Sequence, residues 1–427
     1  MSCVLVVGGG GREHALAWAL SRSPHVERLL VAPGNPGTAG RDRTENVAIA
    51  AGDIDGLVAL SRRESVDLAV IGPEDPLAAG LVDALAAVGV AAFGPGASCA
   101  RLEASKTYCK QFLIRNRIPT AAADVFADAD AALANLGSRP DVPVVKASGL
   151  AAGKGVIVPE TRDEAAAAVR AMLVERRFGS AGERILLEER LRGREVSVLA
   201  FCDGERFALL PPAQDHKRLL AGDEGPNTGG MGAYSPSPAV DDRLLEQIGE
   251  EIIGPTLAAR RDAGTPYRGL LYAGLMITAD GPKVIEFNCR FGDPETQAVI
   301  PLLRSDLFEI MAACATGSLG DVTIDWSEAA SVAIVMASAG YPGASGDPVP
   351  IFGLDAAEQE GCVVFQAGTA VIGGAVHGTG GRVLSVTSIG PDVGTAADLA
   401  YRGVAAIHFE GAQHRADIGP ARTGAHP

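Results

Sequence analysis

The sequence has few aromatic residues, no paired cysteines, no excess of positive charge and no long apolar run. Its 427 residues include 7 scattered cysteines without a C-x-x-C pair, which indicates free thiols in a reducing compartment and neither disulfides nor a zinc site. A formal net charge of −15 argues against a nucleic-acid partner. No apolar stretch reaches the length of a membrane span, and the first apolar run lacks the basic residues that open a signal peptide. We therefore predict a cytoplasmic protein that binds small molecules and neither nucleic acid nor membrane.

The residues that are abundant favour an α/β architecture. With 53 glycines, 47% apolar and 21% charged residues, the composition suits helices packed closely on sheets. Over residues 1–103, short apolar runs alternate with helical patterns, which predicts a parallel sheet. The predicted strands cover residues 3–7, 29–32, 68–71 and 90–93, and the predicted helices cover residues 13–20, 54–64 and 77–88. Glycine or proline follows each strand, at the sheet edge where such folds bind ligands.

The glycines after the first strand, residues 8–11, do not match the dinucleotide-binding pattern G-x-G-x-x-G. Counted from either of the first two glycines, the third glycine position falls on Glu13 or His14. The segment still places backbone N–H groups and Arg12 at a helix N-terminus, where phosphate binds well. We predict a site for a phosphorylated substrate here. A purely structural strand-to-helix turn is the alternative.

Residues 145–157, VKASGLAAGKGVI, have the composition of a phosphate-binding hairpin. Lys146 closes one apolar run, a loop of glycine and alanine follows, and Lys154 lies within that loop. A loop with so few side chains lets backbone N–H groups approach an anion closely, and the lysines add positive charge. The segment is not a Walker A loop, because Gly155 occupies the position of its Ser or Thr. A flexible hairpin tip with two solvated lysines is the alternative.

A later strand, residues 283–290 (KVIEFNCR), places hard oxygen ligands on one face. Alternation along the strand turns Glu286 and Asn288 one way, and turns Ile285 and Phe287 toward a core. A carboxylate and an amide oxygen suit Mg²⁺ or Mn²⁺ that carries nucleotide phosphates. An edge strand with polar side chains facing water is the alternative, but a turn rich in charge follows directly.

The remaining pattern indicates a smaller α/β unit, a long glycine-rich loop and a mostly β C-terminal part. We predict strands at 185–189, 196–200 and 207–210, a loop over 214–238 and a helix over 244–261. The loop contains GPNTGGMG at residues 225–232, with four glycines in eight residues, which favours a backbone shaped around a ligand. No nucleophile or zinc motif is present, so catalysis by positioning and charge neutralisation, as in phosphoryl transfer, is favoured.

Taken together, these segments resemble the phosphoribosylamine–glycine ligases (glycinamide ribonucleotide synthetases), a family of the ATP-grasp superfamily. The matching segments are GGGGREHALAW (8–18), APGNPGTA (32–39), GPEDPL (72–77), KASGLAAGKGVIV (146–158), QDHKR (214–218), GPNTGGMGAYSP (225–236), EFNCRFGDPETQ (286–297), GGRVLSV (380–386) and ADIG (416–419). They follow the family's order from end to end. Ser148 stands where the family commonly has aspartate, and a serine there can still form local hydrogen bonds.

The resemblance implies ATP-dependent ligation of glycine to 5-phosphoribosylamine. The products are glycinamide ribonucleotide, ADP and phosphate, formed through glycyl phosphate in de novo purine biosynthesis. ATP is the implied co-substrate, with Mg²⁺ or Mn²⁺, and we expect a monomer or weak homodimer. The implied division is an N-terminal α/β substrate domain (1–103), an ATP-grasp core (104–126 and 191–327), its mobile lid (127–190) and a small, mostly β C-terminal domain (328–427).

The resemblance also assigns residues to roles. The implied catalytic residues are Lys146, Arg290 and Asp293, and the implied metal ligands are Glu286 and Asn288. The implied phosphate and lid contacts to ATP are Lys106, Lys146, Gly149, Gly153, Lys154 and Gly155, with Glu188, Glu189 and Leu191 at the adenine and Glu195 at the ribose. The implied substrate contacts are Gly10, Gly11, Arg12, Asn35, Glu74, Asp215, Lys217, Asn227, Thr228, Gly229, Gly230 and Asp293.

Other functions stay open at this level. One is another ATP-grasp carboxylate–amine ligase, or a bicarbonate-using carboxylase, of the purine pathway. A nicotinamide-dependent oxidoreductase is a second, although the broken glycine pattern argues against it. A catalytically silent nucleotide-binding protein is a third.

Overall fold

Residues 1–103 fold around a five-stranded sheet whose strands all run parallel. In the computed structural model, which describes residues 1–39, 43–151, 155–344 and 346–419, its strands are β1 (Ser2–Gly8), β2 (Val26–Pro33), β3 (Thr44–Asn46), β4 (Leu68–Ile71) and β5 (Ala91–Phe93). The helices are α1 (Gly11–Leu20), α2 (Ile54–Arg63), α3 (Glu74–Ala78), α4 (Leu81–Ala87) and α5 (Ala97–Ala104). The order β3-β2-β1-β4-β5 reverses between β1 and β4, which opens a crevice at their carboxyl ends.

The predicted parallel sheet is confirmed, but the helix predicted over residues 77–88 is wrong. The chain forms two short helices there, α3 and α4. Gly80 lies between them with φ of +90°, a left-handed conformation that interrupts a helix.

A small antiparallel sheet follows and contains the hairpin predicted to bind phosphate. Helix α6 (Lys106–Arg115) leads into this sheet, whose strands are β6 (Ala123–Phe126), β7 (Val144–Ala147), β8 (Val156–Ile157) and β9 (Ile185–Glu188), in the order β6-β9-β7-β8. Helices α7 (Ala129–Ser138) and α8 (Arg162–Leu173) share its buried core. Lys146 pairs with Val156, which confirms the hairpin. Strand β6 also belongs to this sheet, although the predicted lid begins only at residue 127.

The next part of the chain contains a second four-stranded sheet, which includes the predicted metal-binding strand. The strands of this part of the chain are β10 (Arg194–Asp203), β11 (Phe207–Leu209), β12 (Gln214–Asp215), β13 (Arg218–Leu220), β14 (Glu224–Asn227), β15 (Gly232–Ser235), β16 (Arg268–Thr278) and β17 (Gly281–Asn288). Its helices are α9 (Asp242–Ile248), α10 (Gly254–Asp262), α11 (Glu295–Val299) and α12 (Leu307–Thr316), with a π-helical turn at Gly249–Ile253 between α9 and α10. The sheet order is β11-β10-β16-β17, and β13 and β14 form a separate hairpin.

The C-terminal part is mostly β, as predicted. It contains β18 (Ala330–Ala337), β19 (Val349–Pro350), β20 (Val363–Gln366), β21 (Thr369–Ile372), β22 (Ala375–Gly378) and β23 (Arg382–Gly390), with helices α13 (Leu354–Gln359) and α14 (Val393–Ala406). Its main sheet has the order β12-β15-β18-β23-β20, so two of its strands come from residues 214–235. The loop predicted over 214–238 is therefore wrong. Strand β15 pairs with β18 far along the chain, which leaves no local pattern, and β12 pairs with β15.

Aromatic packing joins these parts around one core. The rings of Phe93, Phe201 and Phe291 contact each other with centroids 5.9 to 6.2 Å apart. Phe93 ends β5, Phe201 lies in β10, and Phe291 follows β17. The N-terminal crevice and the end of β17 are therefore held side by side.

Candidate active site

Lys146, predicted to hold phosphate, lies buried on β7 and faces β17. It is 4% exposed. Its Nζ lies 2.5 Å from Glu188 Oε1 and donates to the carbonyl oxygen of Ile285 at 3.3 Å. The register of β17 against β16 shifts between Gly274 and Leu275, which makes Ile285 the extra residue of a β-bulge. The bulge turns a backbone carbonyl toward the lysine.

Lys106, the second predicted phosphate lysine, begins α6 directly after its N-cap residue Ser105. Its backbone N–H donates to the carbonyl of Ser148 at 2.7 Å. The Ser148 hydroxyl accepts from the N–H of Thr107 at 3.3 Å and lies 3.3 Å from the Ser105 hydroxyl. The serine at the family's aspartate position thus ties the hairpin to the start of the helix.

The glycines of the hairpin allow a close approach of backbones. A Cβ on Gly149 would lie 2.6 Å from the Cα of Ala181, so no larger residue fits there. Gly155 is confined in the same way by Ala151. Gly153 and Lys154 lie outside the described residues.

The predicted adenine-binding segment follows β9. Glu188 is buried, and its second oxygen lies 2.9 Å from the Nζ of Lys110, so its carboxylate is shared between two lysines. Glu189 donates its backbone N–H to the carbonyl of Ala122 and accepts from the N–H of the same residue. Leu191 is half-buried at the junction with β10. The contacts of these residues with adenine stay a prediction.

Lys217 links the predicted ribose-binding acid to the predicted metal ligand. It forms an ion pair with Glu195, and its Nζ lies 4.0 Å from Glu286 Oε1. Burial lowers the pKa of Lys217, but Glu195 and Glu286 outweigh this effect and raise it well above its usual value. The lysine is therefore a fixed positive charge beside the predicted ATP site.

Glu286 and Asn288 share the open face of β17, as predicted, while Phe287 and Cys289 are buried. The prediction that Ile285 enters the core is wrong, because the bulge leaves its side chain half-buried. Alternation along a strand holds only while its register is unbroken.

The charge state and chemistry of this pair fit a metal that arrives with a nucleotide. Burial raises the pKa of Glu286, but Lys217, Lys106 and Lys146 outweigh this effect and lower it, so the carboxylate is ionised. Within the described part of the chain, no group of three or more His, Cys, Asp or Glu residues is placed to hold a metal. Two hard oxygen donors suit Mg²⁺ or Mn²⁺ when phosphates and water complete the coordination.

Arg290 connects the end of β17 to the N-terminal unit. Its Nη2 lies 2.9 Å from Glu103 Oε1 and donates to Asn288 Oδ1 at 3.1 Å, and its Nε lies 3.3 Å from Glu74 Oε2. Burial lowers the pKa of Arg290, but Glu103 and Glu74 outweigh this effect and raise it. Burial raises the pKa of Glu74, but Arg290 and Arg12 reverse this and lower it. Glu74 thus forms an ion pair with Arg290, and its predicted contact with substrate stays a prediction.

Asp293 and the loop 225–232 meet at Arg382, a residue of β23. The Arg382 Nη1 donates to the carbonyls of Gly229 at 2.7 Å and Asp293 at 2.6 Å, and its Nη2 lies 3.2 Å from Asp293 Oδ2. Burial raises the pKa of Asp293, but Arg382 outweighs this effect, so the pKa is lowered and the group is ionised. A Cβ on Gly10 would lie 3.7 Å from Asp293 Oδ2, so the predicted substrate segments of both domains meet here.

The rest of the glycine-rich loop has a fixed backbone. Asn227 ends β14. Thr228 donates its N–H and its hydroxyl to the carbonyl of Lys217, at 2.7 and 2.8 Å, and its hydroxyl oxygen accepts from the N–H of Gly230. Gly230 has φ of +111°, and a Cβ there would lie 2.4 Å from Pro294. The backbone is fixed at these residues, and its fit around a ligand stays a prediction.

Asp215 is half-buried beside Gly230 and close to the buried Glu295. Its Oδ1 has no hydrogen-bond partner among the described residues. Burial and the nearby Glu295 raise the pKa of Asp215 well above its usual value. Glu295 is buried, and its Oε1 accepts from the hydroxyls of Tyr272 at 2.5 Å and Ser197 at 3.2 Å. The two carboxyl groups offer acceptor oxygens, which suits an amine ligand.

At the N-terminal glycines, the side chain of Glu13 takes up part of the segment predicted to bind phosphate, and substrate binding there stays a prediction. The N–H of Gly10 donates to Glu13 Oε2 at 2.7 Å, so a carboxylate occupies the helix N-terminus. Arg12 is buried, with its Nε 2.5 Å from Glu13 Oε1 and its Nη1 donating to the carbonyl of Phe291. Glu13, on the same helix, therefore caps the N–H of Gly10 and pairs with the Arg12 side chain.

Asn35 and Gly11 hold this region against the C-terminal part. The Asn35 Nδ2 donates to the carbonyls of Gly9 at 2.9 Å and Gln366 at 2.8 Å. Gly11 has no space for a side chain, because a Cβ would lie 2.7 Å from Gln297 Nε2. The geometry gives both residues a structural use, and their contact with substrate stays a prediction.

Sequence reasoning missed Lys110, Glu295 and Arg382 as parts of the site. Lys110 lies four residues after Lys106 on one helix, a spacing that places both on one face. Glu295 lies within the charged turn after β17. Arg382 has no local signal, because the carbonyls that it binds are 153 and 89 residues away in the sequence.

Lys106 and Lys146 help to keep the Glu286 carboxylate ionised, and Lys146 on β7 faces β17 of a second antiparallel sheet. This arrangement is typical of the ATP-grasp enzymes, and comparison with known families agrees. Models of phosphoribosylglycinamide synthetase match as the N domain over residues 2–103, the ATP-grasp (A) domain over 104–296 and the C domain over 331–421. The chain belongs to the phosphoribosylglycinamide synthetase family. It is an ATP-dependent ligase with the three-part α/β fold that the sequence predicted.

Individual relatives cover the whole chain. A phosphoribosylamine–glycine ligase of Allochromatium vinosum is 52% identical over 417 residues, which are 97% of each chain. The trifunctional purine biosynthetic protein adenosine-3 of Gallus gallus is 53% identical over 419 residues, and this chain spans 42% of its length. The crystal structure of a phosphoribosylamine–glycine ligase from Thermotoga maritima superposes with a TM-score of 0.83 at 29% identity, covering 97% of this chain and 99% of that one. No helix among the described residues is long and apolar enough to cross a membrane.

Proposed function

We propose that the protein joins glycine to 5-phosphoribosylamine, with conversion of ATP to ADP and phosphate, in de novo purine biosynthesis. One observation carries the proposal: Lys146 binds the carbonyl of Ile285, directly before Glu286, so the cation proposed to bind phosphate lies against the strand proposed to bind metal. The names of full-length relatives at about half identity support the same reaction.

The chemistry proceeds in two displacements. A carboxylate oxygen of glycine attacks the γ-phosphorus of ATP, the bond to the β,γ-bridging oxygen breaks, and ADP leaves. The nitrogen of phosphoribosylamine then attacks the carbonyl carbon of glycyl phosphate, and phosphate leaves with one of the glycine oxygens. The nitrogen loses one proton, which the departing phosphate takes up, while the Asp293 carboxylate, kept ionised by Arg382, accepts a hydrogen bond from the amine. Exclusion of water by the hairpin of β7 and β8 protects the acyl phosphate.

In this proposal, one set of charged groups binds the ATP phosphates and another binds glycine. Lys106 and Lys146 bind the ATP phosphates, and Arg290 lies beside the transferring group. Glu286 and Asn288 would hold Mg²⁺ or Mn²⁺, which would supply charge neutralisation to those phosphates. In the second set, the unpaired Oδ1 of Asp215 receives the ammonium group of glycine. This placement orients the glycine carboxylate toward ATP.

The proposal also covers the cellular compartment and the oligomeric state of the protein. We place the protein in the cytoplasm, since all seven cysteines are free thiols. We also propose a monomer or weak homodimer, which sedimentation over a range of concentrations tests.

Isotope transfer tests the reaction. With ¹⁸O in the glycine carboxylate, one label should appear in the released phosphate for each ADP formed. ADP formation should require both glycine and phosphoribosylamine and should not respond to bicarbonate. Unlabelled phosphate from a productive turnover would rule out the acyl phosphate, and bicarbonate-dependent ADP release without glycine would indicate a carboxylase.

A further inference from the structure

Lys110 is a buried lysine next to the ATP site that the proposed mechanism does not use. It lies one helical turn after Lys106 on α6 and is 4% exposed. Its Nζ lies 2.9 Å from Glu188 Oε2 and donates to Thr120 Oγ1 at 2.6 Å and to the carbonyl of Ala121 at 2.9 Å. Three acceptors therefore surround one nitrogen.

The arrangement of protons shows that Lys110 is an ammonium group. The Thr120 hydroxyl donates its own proton to the carbonyl of Val284 at 2.7 Å, so its oxygen accepts from Lys110. The Ala121 carbonyl and the Glu188 carboxylate can only accept. An ammonium group supplies three donors for these three acceptors, whereas a neutral amine would direct a lone pair at one of them.

Glu188 is consequently a shared counter-ion. Its Oε2 faces Lys110, and its Oε1 faces Lys146 at 2.5 Å. All three side chains are buried, so solvent does not compensate their charges. Two ammonium groups and one carboxylate leave one net positive charge, and Lys146 is the member of the three that also faces β17.

We propose that Lys110 is a positioning residue for ATP binding: by occupying half of the Glu188 carboxylate, it leaves Lys146 under-neutralised and available to a phosphate. Without Lys110, Glu188 would pair with Lys146 alone and the buried group would be neutral. The inference rests on the proposed role of Lys146 in phosphate binding.

Binding of MgADP to the full chain tests this inference by calorimetry. Lys110→Met should weaken MgADP about tenfold, a change of about 1.4 kcal/mol, and should raise the KM for ATP with the KM for glycine unchanged. The double variant Lys110→Met/Glu188→Gln restores one net positive charge and should bind MgADP more tightly than Lys110→Met does. Lys283→Met is the matched control, because this lysine pairs with Asp280 near the surface, and its affinity should not change.

The pattern separates positioning from a merely structural role. Damage to the fold would make the double variant worse than Lys110→Met, and that order would overturn the proposal, as would an unchanged affinity in Lys110→Met. If Lys110→Met does not fold, the double variant is compared with Glu188→Gln, and failure of the double variant to bind MgADP refutes the inference. Lys146→Met tests the premise separately, since unchanged MgADP binding in that variant removes Lys146 from the phosphate site.

Discussion

Removal of the Arg382 guanidinium should disable the substrate side of the site and leave ATP binding intact. Arg382→Ala deletes hydrogen bonds of 2.7 and 2.6 Å to the carbonyls of Gly229 and Asp293 and an ion pair of 3.2 Å with the Asp293 carboxylate. Hydrogen bonds from a charged donor contribute about 1.5–3 kcal/mol each. Because the Arg382 side chain is 22% exposed and water replaces part of the loss, we expect about 3 kcal/mol less transition-state stabilisation. This corresponds to a loss on the order of 100-fold in kcat/KM for glycine.

Steady-state kinetics with each substrate varied in turn, together with calorimetry of MgADP, measures this effect. Arg382→Lys should recover part of the loss, since an ammonium group keeps the charge but cannot span both carbonyls as a guanidinium fork does. Arg402→Ala is the control, because Arg402 pairs at the surface of the same C-terminal part with Glu360. The reasoning is refuted if Arg382→Ala keeps its kcat/KM, or if it loses MgADP affinity as severely as glycine turnover.

Three further perturbations test the site map. Lys146→Ala should lower turnover about 1000-fold, whereas His216→Ala should lower it less than tenfold, and equal losses in rate assays would contradict the assignment. Glu286→Gln should raise the Mg²⁺ concentration for half-maximal rate about tenfold, and an unchanged requirement in a metal titration would exclude it as a ligand. Burial and Arg415 lower the pKa of His216 to about 4, so the unfolded chain takes up the proton first as pH falls below 6.5. The unfolding free energy of the wild type should therefore fall by about 2 kcal/mol more than that of His216→Gln between pH 7 and pH 4.5, and parallel urea-unfolding curves would show that this histidine does not contribute.

Local patterns were sufficient for the elements that depend only on their own residues. The apolar run at residues 68–71 is β4 as predicted, and the hairpin of Lys146 forms where the glycine-rich loop indicated it. The open face of Glu286 and Asn288 also follows from alternation along one strand. In each case the pattern repeats within a few residues, so neighbours along the chain determine it.

Predictions failed where a distant partner or a single backbone irregularity decides the outcome. Strand β15 forms against β18, which lies far along the chain, and β12 forms against β15, so neither strand was predicted from its own residues. The side chain of Ile285 was predicted to lie in the core, but a single β-bulge leaves it half-buried.

The sequence by itself determined the chemistry of this protein: which residues bring charge, which loops allow a close approach to phosphate, and which family the chain resembles. Tertiary structure alone decided how those charges are shared. Glu188 became the counter-ion of two lysines, and Arg382 became the contact between the glycine-rich loop and Asp293. The physical reason is that Coulomb interactions and hydrogen bonds depend on distance in space, and residues far apart in sequence meet only when the chain has folded.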